Sequence, residues 1–176
     1  VHLSLPGNLI DDDLVNILIK GLVLNKTISQ LDLSHNKISN LGVRKIAKFL
    51  LTTQVLTHLD LTDNQIYYEG SRYLAQALKS NKILKHLSLK LNRLDDKAGS
   101  KLCIDLLNSN SELESLSLSS NALAYMFCES LAEFLKKNKS IRRLDISCNL
   151  IDDGNAATLK TSLRDNESII DIDVRN

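Results

Sequence analysis

The stretch Leu59-Asp60-Leu61-Thr62-Asp63-Asn64-Gln65-Ile66 reads Leu-x-Leu-x-x-Asn-x-Leu/Ile, and the same pattern returns at a fixed distance on both sides. Upstream it is Leu31-x-Leu33-x-x-Asn36-x-Ile38 and Leu3-x-Leu5-x-x-Asn8-x-Ile10. Downstream it is Leu87-x-Leu89-x-x-Asn92-x-Leu94, Leu116-x-Leu118-x-x-Asn121-x-Leu123 and Leu144-x-Ile146-x-x-Asn149-x-Ile151, with a seventh start at Ile172-x-Val174. The steps between starts are 28, 28, 28, 29, 28 and 28 residues. A fixed period of this size marks stacked repeats, each too small to bury its own apolar face.

Each unit changes period halfway. Leu-x-Leu alternates as a short strand does, and the residues after Asn move to helical spacing. Val43, Ile46, Ala47 and Leu50 share one helical face, with Arg44, Lys45 and Lys48 off it. Tyr73, Leu74, Ala77 and Leu78, and later Leu131, Ala132 and Leu135, repeat the arrangement. The expected architecture is therefore an α/β solenoid, a right-handed horseshoe arc with a parallel sheet on the concave face and helices on the convex face. Residues 1–176 read as one domain of six repeats plus a final partial one, and the uncapped ends read as a segment of a longer chain.

Composition fits this reading. The chain has 176 residues, among them 35 Leu and 16 Asn against one Pro and no Trp, so leucine has replaced aromatics as core filler. A net charge of +1 argues against nucleic-acid binding through a bulk basic field. No apolar run approaches the roughly 20 residues that a membrane span needs.

The residues Asn8, Asn36, Asn64, Asn92, Asn121 and Asn149 form a predicted structural ladder, because an amide can both donate to and accept from the backbone where a strand turns away. A second column, Asn25, Asn81, Asn110, Asn138 and Asn166 with Thr53 as the exception, falls at helix ends, where a left-handed residue is expected. That column also accounts for the three Asn-x-Ser/Thr triplets without invoking glycosylation.

No catalytic constellation is present in the sequence. The glycines make no dinucleotide or phosphate loop, no Ser lies in a nucleophile elbow, and no His pair has helical metal spacing. His58 and His86 fall on adjacent strands and read as a solvated row. Cys103, Cys128 and Cys148 read as free thiols. No cofactor, metal or small-molecule substrate is implied, and the chain reads as a non-enzyme.

Binding then falls to surfaces. Three rows should line the concave sheet, and they offer Asp32, Asp60, Asp145, Lys90 and Arg143 as candidate contacts but no aromatic anchor. Acidic residues such as Asp12, Asp96 and Asp153 gather at helix N-termini and lysines at C-termini, as helix dipoles favour. The few aromatics cluster in strand-to-helix loops, which makes Tyr68, Tyr125 and Met126 the best candidate partner contacts; Phe127, in the same loop, reads as packing beneath it.

On these residues the chain resembles leucine-rich repeats of the ribonuclease-inhibitor-like class. That class contains inhibitor and sensor domains and a Ran-type GTPase activator; the last needs a presented arginine, for which Arg93 is the one candidate directly after a repeat Asn. The unit Leu87-Ser-Leu-Lys-Leu-Asn92-Arg-Leu-Asp95-Asp96-Lys-Ala-Gly99 is similar to repeats found in the nexin–dynein regulatory complex of motile cilia, although Ala98 departs from the expected glycine pair. This second resemblance implies an axonemal scaffold in the cytoplasm, bound to other subunits of that complex, coiled coils among them.

Overall fold

A computed structural model describes residues 1–107, 112–164 and 166–175. Strands and helices alternate as β1 (His2–Ser4), α1 (Asp12–Leu22), β2 (Gln30–Asp32), α2 (Asn40–Leu50), β3 (His58–Asp60), α3 (Tyr68–Ser80) and β4 (His86–Ser88). They continue as α4 (Asp96–Leu107), β5 (Ser115–Ser117), α5 (Tyr125–Lys137), β6 (Arg143–Asp145), α6 (Asp153–Leu163) and β7 (Asp171–Asp173). The seven strands form one parallel sheet in sequence order. Its register is the repeat itself, with Leu31 opposite Leu59, Leu59 opposite Leu87 and Leu87 opposite Leu116.

The periodic positions supply the interior. Leu33, Leu61, Leu89, Leu118 and Ile146 follow the strand leucines into the core, and Ile38, Ile66, Leu94 and Leu123 close it from the turn. Helix faces such as Val43, Ile46 and Leu50, or Leu131 and Leu135, cover the other side, and each helix packs on the next. Buried residues form one continuous cluster from Ile10 to Leu159. Within the described residues the repeats therefore share one core.

The asparagine ladder links consecutive repeats. Asn64 accepts at Oδ1 from the Ile38 N–H (2.9 Å) and donates from Nδ2 to the carbonyls of Leu33 (3.0 Å), Leu61 and Thr62 (3.2 Å each). Asn36 does the same for Ile10 and Leu5, Asn92 for Ile66 and Leu61, Asn121 for Leu94 and Leu89, and Asn149 for Leu123 and Leu118. Each amide thus satisfies backbone groups of the preceding repeat as well as its own. Asn8 is exposed; its side-chain amide donates to the Pro6 carbonyl and its backbone N–H to Asn36 Oδ1, and no strand precedes β1 among the described residues.

The helix-ending column differs from the sequence expectation. Asn81 and Asn138 are extended (ψ 127° and 134°), not left-handed. Their Oδ1 atoms accept from the N–H groups two and three residues on, as do those of Asn25 and Asn166 and the hydroxyl of Thr53. The column therefore makes side-chain-capped turns into the next strand. Asn110 lies outside the described residues. Left-handed backbone occurs instead just before each ladder Asn, at Gly7, His35, Asp63, Leu91, Ser120 and Cys148, with φ between 51° and 67°. None of these is β-branched, as that conformation requires. From His35 onward each donates its N–H to a carbonyl of the next repeat at 2.7–3.0 Å, which offsets the roughly 1–2 kcal/mol of left-handed strain.

Candidate partner-binding surfaces

The concave floor carries the predicted rows, but several of their side chains already serve the sheet. Asp32 accepts from the Ser34 N–H (2.9 Å) and the Ser4 hydroxyl (3.2 Å); Asp60 accepts from the Thr62 N–H (2.8 Å). Asp145 accepts from the Ser147 N–H and hydroxyl and from Ser117. Burial pushes the Asp32 carboxyl up, and the hydrogen bonds from Ser34 and Ser4 outweigh it and hold the group below its ordinary value. These aspartates end strands by fixing the N–H two residues on, so their capacity to contact a partner is reduced. Lys90 is half-buried, whereas Arg143 stands exposed.

His58 and His86 stack with ring centroids 4.0 Å apart at 18°, and the Thr57 hydroxyl lies 2.8 Å from His58 Nδ1. With Gln30, Asp32 and Ser115 they line a shallow groove of about 280 Å³. Rather than a freely solvated row, the two rings are half-buried. Among the described residues no cluster of three or more His, Cys, Asp or Glu is arranged to hold a metal. Burial lowers both imidazoles below 6.5, helped by His2 at His58 and by His58 and Arg143 at His86. The unfolded chain therefore binds protons more readily, so stability is complete above this range and falls as pH drops through 6.5 toward the folded values. Replacing both with Gln is expected to flatten the denaturant midpoint between about pH 7 and pH 5, and an unchanged slope would contradict the assignment.

The strand-to-helix edge is organised by caps that the sequence does not announce. Helices α1, α4 and α6 are capped by their own Asp11, Asp95 and Asp152. The residues before α3 and α5 are Tyr67 and Ala124, which make no side-chain cap. Their N-termini are held from the preceding repeat: Asn40 accepts from the N–H groups of Tyr67 and Gly70, and Asp96 from those of Ala124, Met126 and Phe127, at 2.8–3.0 Å. Asp12 does likewise for Ser39 and Gly42 at the start of α2. Acidic residues here thus act as inter-repeat links beyond complementing dipoles.

Where the capping position is not needed, it carries tyrosine. Tyr68 and Tyr125 open α3 and α5, at the position from which Asp12, Asn40 and Asp96 hold the next helix, and the helices that follow them, α4 and α6, are capped by their own Asp95 and Asp152. Tyr68 is half-buried against the core with Lys97 Nζ 5.3 Å from its ring centre. Tyr67, which was not among the residues singled out from the sequence, is more exposed than Tyr68, at 41%. Arg93 Nη1 donates to its hydroxyl at 2.5 Å, and the guanidinium carbon lies 5.6 Å from its ring centre. Tyr125 is 59% and Met126 49% exposed, and the Tyr125 hydroxyl bonds Glu129. Phe127 is fully buried; these residues lie in the first turn of α5 and not in the loop before it, and that turn presents two side chains outward and drives one inward. The result is a patch of Tyr, Met and Arg along repeats three to five, the residue types enriched at interface centres.

The thiols are free. Cys103 and Cys128 are buried and Cys148 is exposed. Burial pushes the Cys103 thiol far up and that of Cys128 up to about 11, which leaves both poor nucleophiles. Among the described residues no helix is long and apolar enough to cross a membrane.

The family profile described as Leucine Rich repeat matches residues 24–47, 54–75, 80–103 and 137–154, together half of the chain. The chain belongs to the leucine-rich repeat family. Among solved structures it is similar to leiomodin-1 actin-binding site 2, with a TM-score of 0.58 and 17% identity over 94% of this chain and 79% of that one. No curated protein matches the sequence.

Proposed function

We propose that the chain is a non-catalytic protein-interaction scaffold and, more narrowly, part of a subunit of the nexin–dynein regulatory complex resembling dynein regulatory complex subunit 5, also called t-complex-associated testis-expressed protein 1. The observation that carries the scaffold reading is the outward-facing Tyr67, Arg93, Tyr125 and Met126 on one edge of the repeat stack. Leucine-rich repeats are a fold of protein recognition, and leiomodin-1, whose solved fragment is an actin-binding site, is one structural neighbour. The ciliary reading rests on the Leu87–Gly99 repeat, and it makes other axonemal subunits, coiled coils included, the partners.

Two further readings are weaker. A GTPase activator needs a presented arginine, and Arg93 is engaged with Tyr67. An inhibitor groove needs aromatic anchors, which the concave rows lack.

Expression of the tagged chain in ciliated cells should give axonemal signal that resists detergent. A variant carrying Tyr67→Ser, Tyr125→Ser and Met126→Ser, all exposed positions, should fold and lose that signal. Diffuse signal for the unmutated chain would overturn the ciliary assignment, and retention of the triple variant would move the contact to another face.

A further inference from the structure

The opposite edge, where helices end and strands begin, is basic along its length, but its cations are not equally engaged. In repeats three and four they are neutralised within the fold. Lys79 and Lys101 both contact the buried Asp105 carboxylate, at 3.2 and 2.6 Å, and Lys85 reaches Glu112 and Glu114 at 3.6 and 3.2 Å. In repeat five Lys136 pairs with Glu133, while Lys137, Lys139 and Arg142 are exposed and make no ion pair among the described residues. These three border a groove of about 420 Å³ between the end of α5, the start of β6 and the turn after α6. Ile170, 69% exposed, and Glu167 lie on its far side.

Helix-dipole complementation accounts for Lys136 and Lys137 in the last turn of α5. It does not account for Lys139 and Arg142, which lie past the helix in the segment leading to β6. We infer that this groove docks an acidic protein segment, its carboxylates meeting Lys137, Lys139 and Arg142 and one apolar side chain covering Ile170. Arg142 supplies the planar fork that a carboxylate matches bidentately, and the two lysines supply point charges beside it. A polypeptide fits better than a nucleic acid: a phosphate polymer has no apolar side chain for Ile170 and finds no aromatic on which to stack a base. The site is independent of the ciliary assignment and lies on the edge opposite Tyr67 and Tyr125, so the chain can hold two partners at once.

The test is fluorescence anisotropy with a labelled glutamate-rich peptide carrying one leucine, titrated with the full chain. Binding is expected, weakened several-fold between about 50 and 200 mM salt. The charge reversal Lys137→Glu, Lys139→Glu and Arg142→Glu should weaken it at least about tenfold, roughly 1.4 kcal/mol. An equal reversal at Lys45 and Lys48 on α2, with Lys26, should change it by less than about twofold. Ile170→Ser should weaken the leucine-bearing peptide and leave an all-glutamate peptide unchanged. Equal losses from the two reversals, or equally tight binding of a single-stranded oligonucleotide of matched charge, would overturn the proposal. Far-ultraviolet circular dichroism of each variant separates lost binding from lost folding.

Discussion

Phe127→Ala is expected to destabilise the chain by about 3–5 kcal/mol, the range for emptying a fully buried aromatic site. Phe127 is among the largest side chains with no exposure, and it sits where α4 and α5 pack. The partner surface is the backbone of Gly99: a Cβ there would stand 2.5 Å from Leu123 Cδ2 and 2.8 Å from Phe127 Cδ2. Ring and glycine are therefore complementary, each explaining the other's residue type. The site has little room to collapse, because Asp96 fixes the Phe127 N–H from one side and Asp95 fixes the start of α4 from the other. Gly99→Ala should cost about 1–3 kcal/mol by overpacking. Urea denaturation of Gly99→Ala, Phe127→Leu and the double variant should give a double cost smaller than the sum, since the smaller side chain frees space for the new methyl. Strict additivity would contradict the contact.

Asn64→Ala is expected to cost about 3 kcal/mol, from the buried Ile38 N–H left without a partner, at about 1–3 kcal/mol, and from the weaker loss of one of two donors at the Leu33, Leu61 and Thr62 carbonyls, which keep Asn36, Asn92 and the His35 N–H. For a chain of this size that corresponds to a fall in Tm of roughly 6–12 °C. Asn64→Asp separates the two halves of the amide's work. It keeps the acceptor for the Ile38 N–H but loses the donor and turns a carboxylate toward the Leu33, Leu61 and Thr62 carbonyls. Ionising that carboxylate is disfavoured in the folded state, so its pKa is raised on folding and stability of this variant should fall as pH rises past the ordinary Asp range of about 4. A melting temperature close to the unmutated value in both variants would remove the ladder from the account.

The repeat period, the strand register and the core positions were all legible, because they follow from which residues are apolar at which spacing. Leu31, Leu59 and Leu87 stand opposite one another as the period requires. Two features were hidden for different physical reasons. The left-handed position is occupied by Gly, His, Asp, Leu, Ser and Cys, which share only the absence of a branched Cβ, so no residue type marks it. Cross-repeat capping joins residues 27–31 positions apart, as in Asp12 to Ser39 and Asp96 to Phe127, and reads locally as ordinary acidic first turns. The candidate site was legible in part for the same reason. Tyr125 and Met126 are exposed as expected, although they stand in the first turn of α5 and not in the loop before it, whereas the pairing of Tyr67 with Arg93 spans 26 residues and appears only when neighbouring repeats are stacked.

The central claim is that neighbouring repeats are held by a directed ladder into one continuous body whose edges are free for partners. Native-state hydrogen exchange of Asn64→Ala tests it residue by residue. The account predicts that the Ile38 amide, whose acceptor is Asn64, loses protection first, while the Ile66 amide, held by Asn92, keeps a protection close to that of the unmutated chain relative to global unfolding. Loss at Ile66 with Ile38 unaffected, or no local change at either, would contradict it.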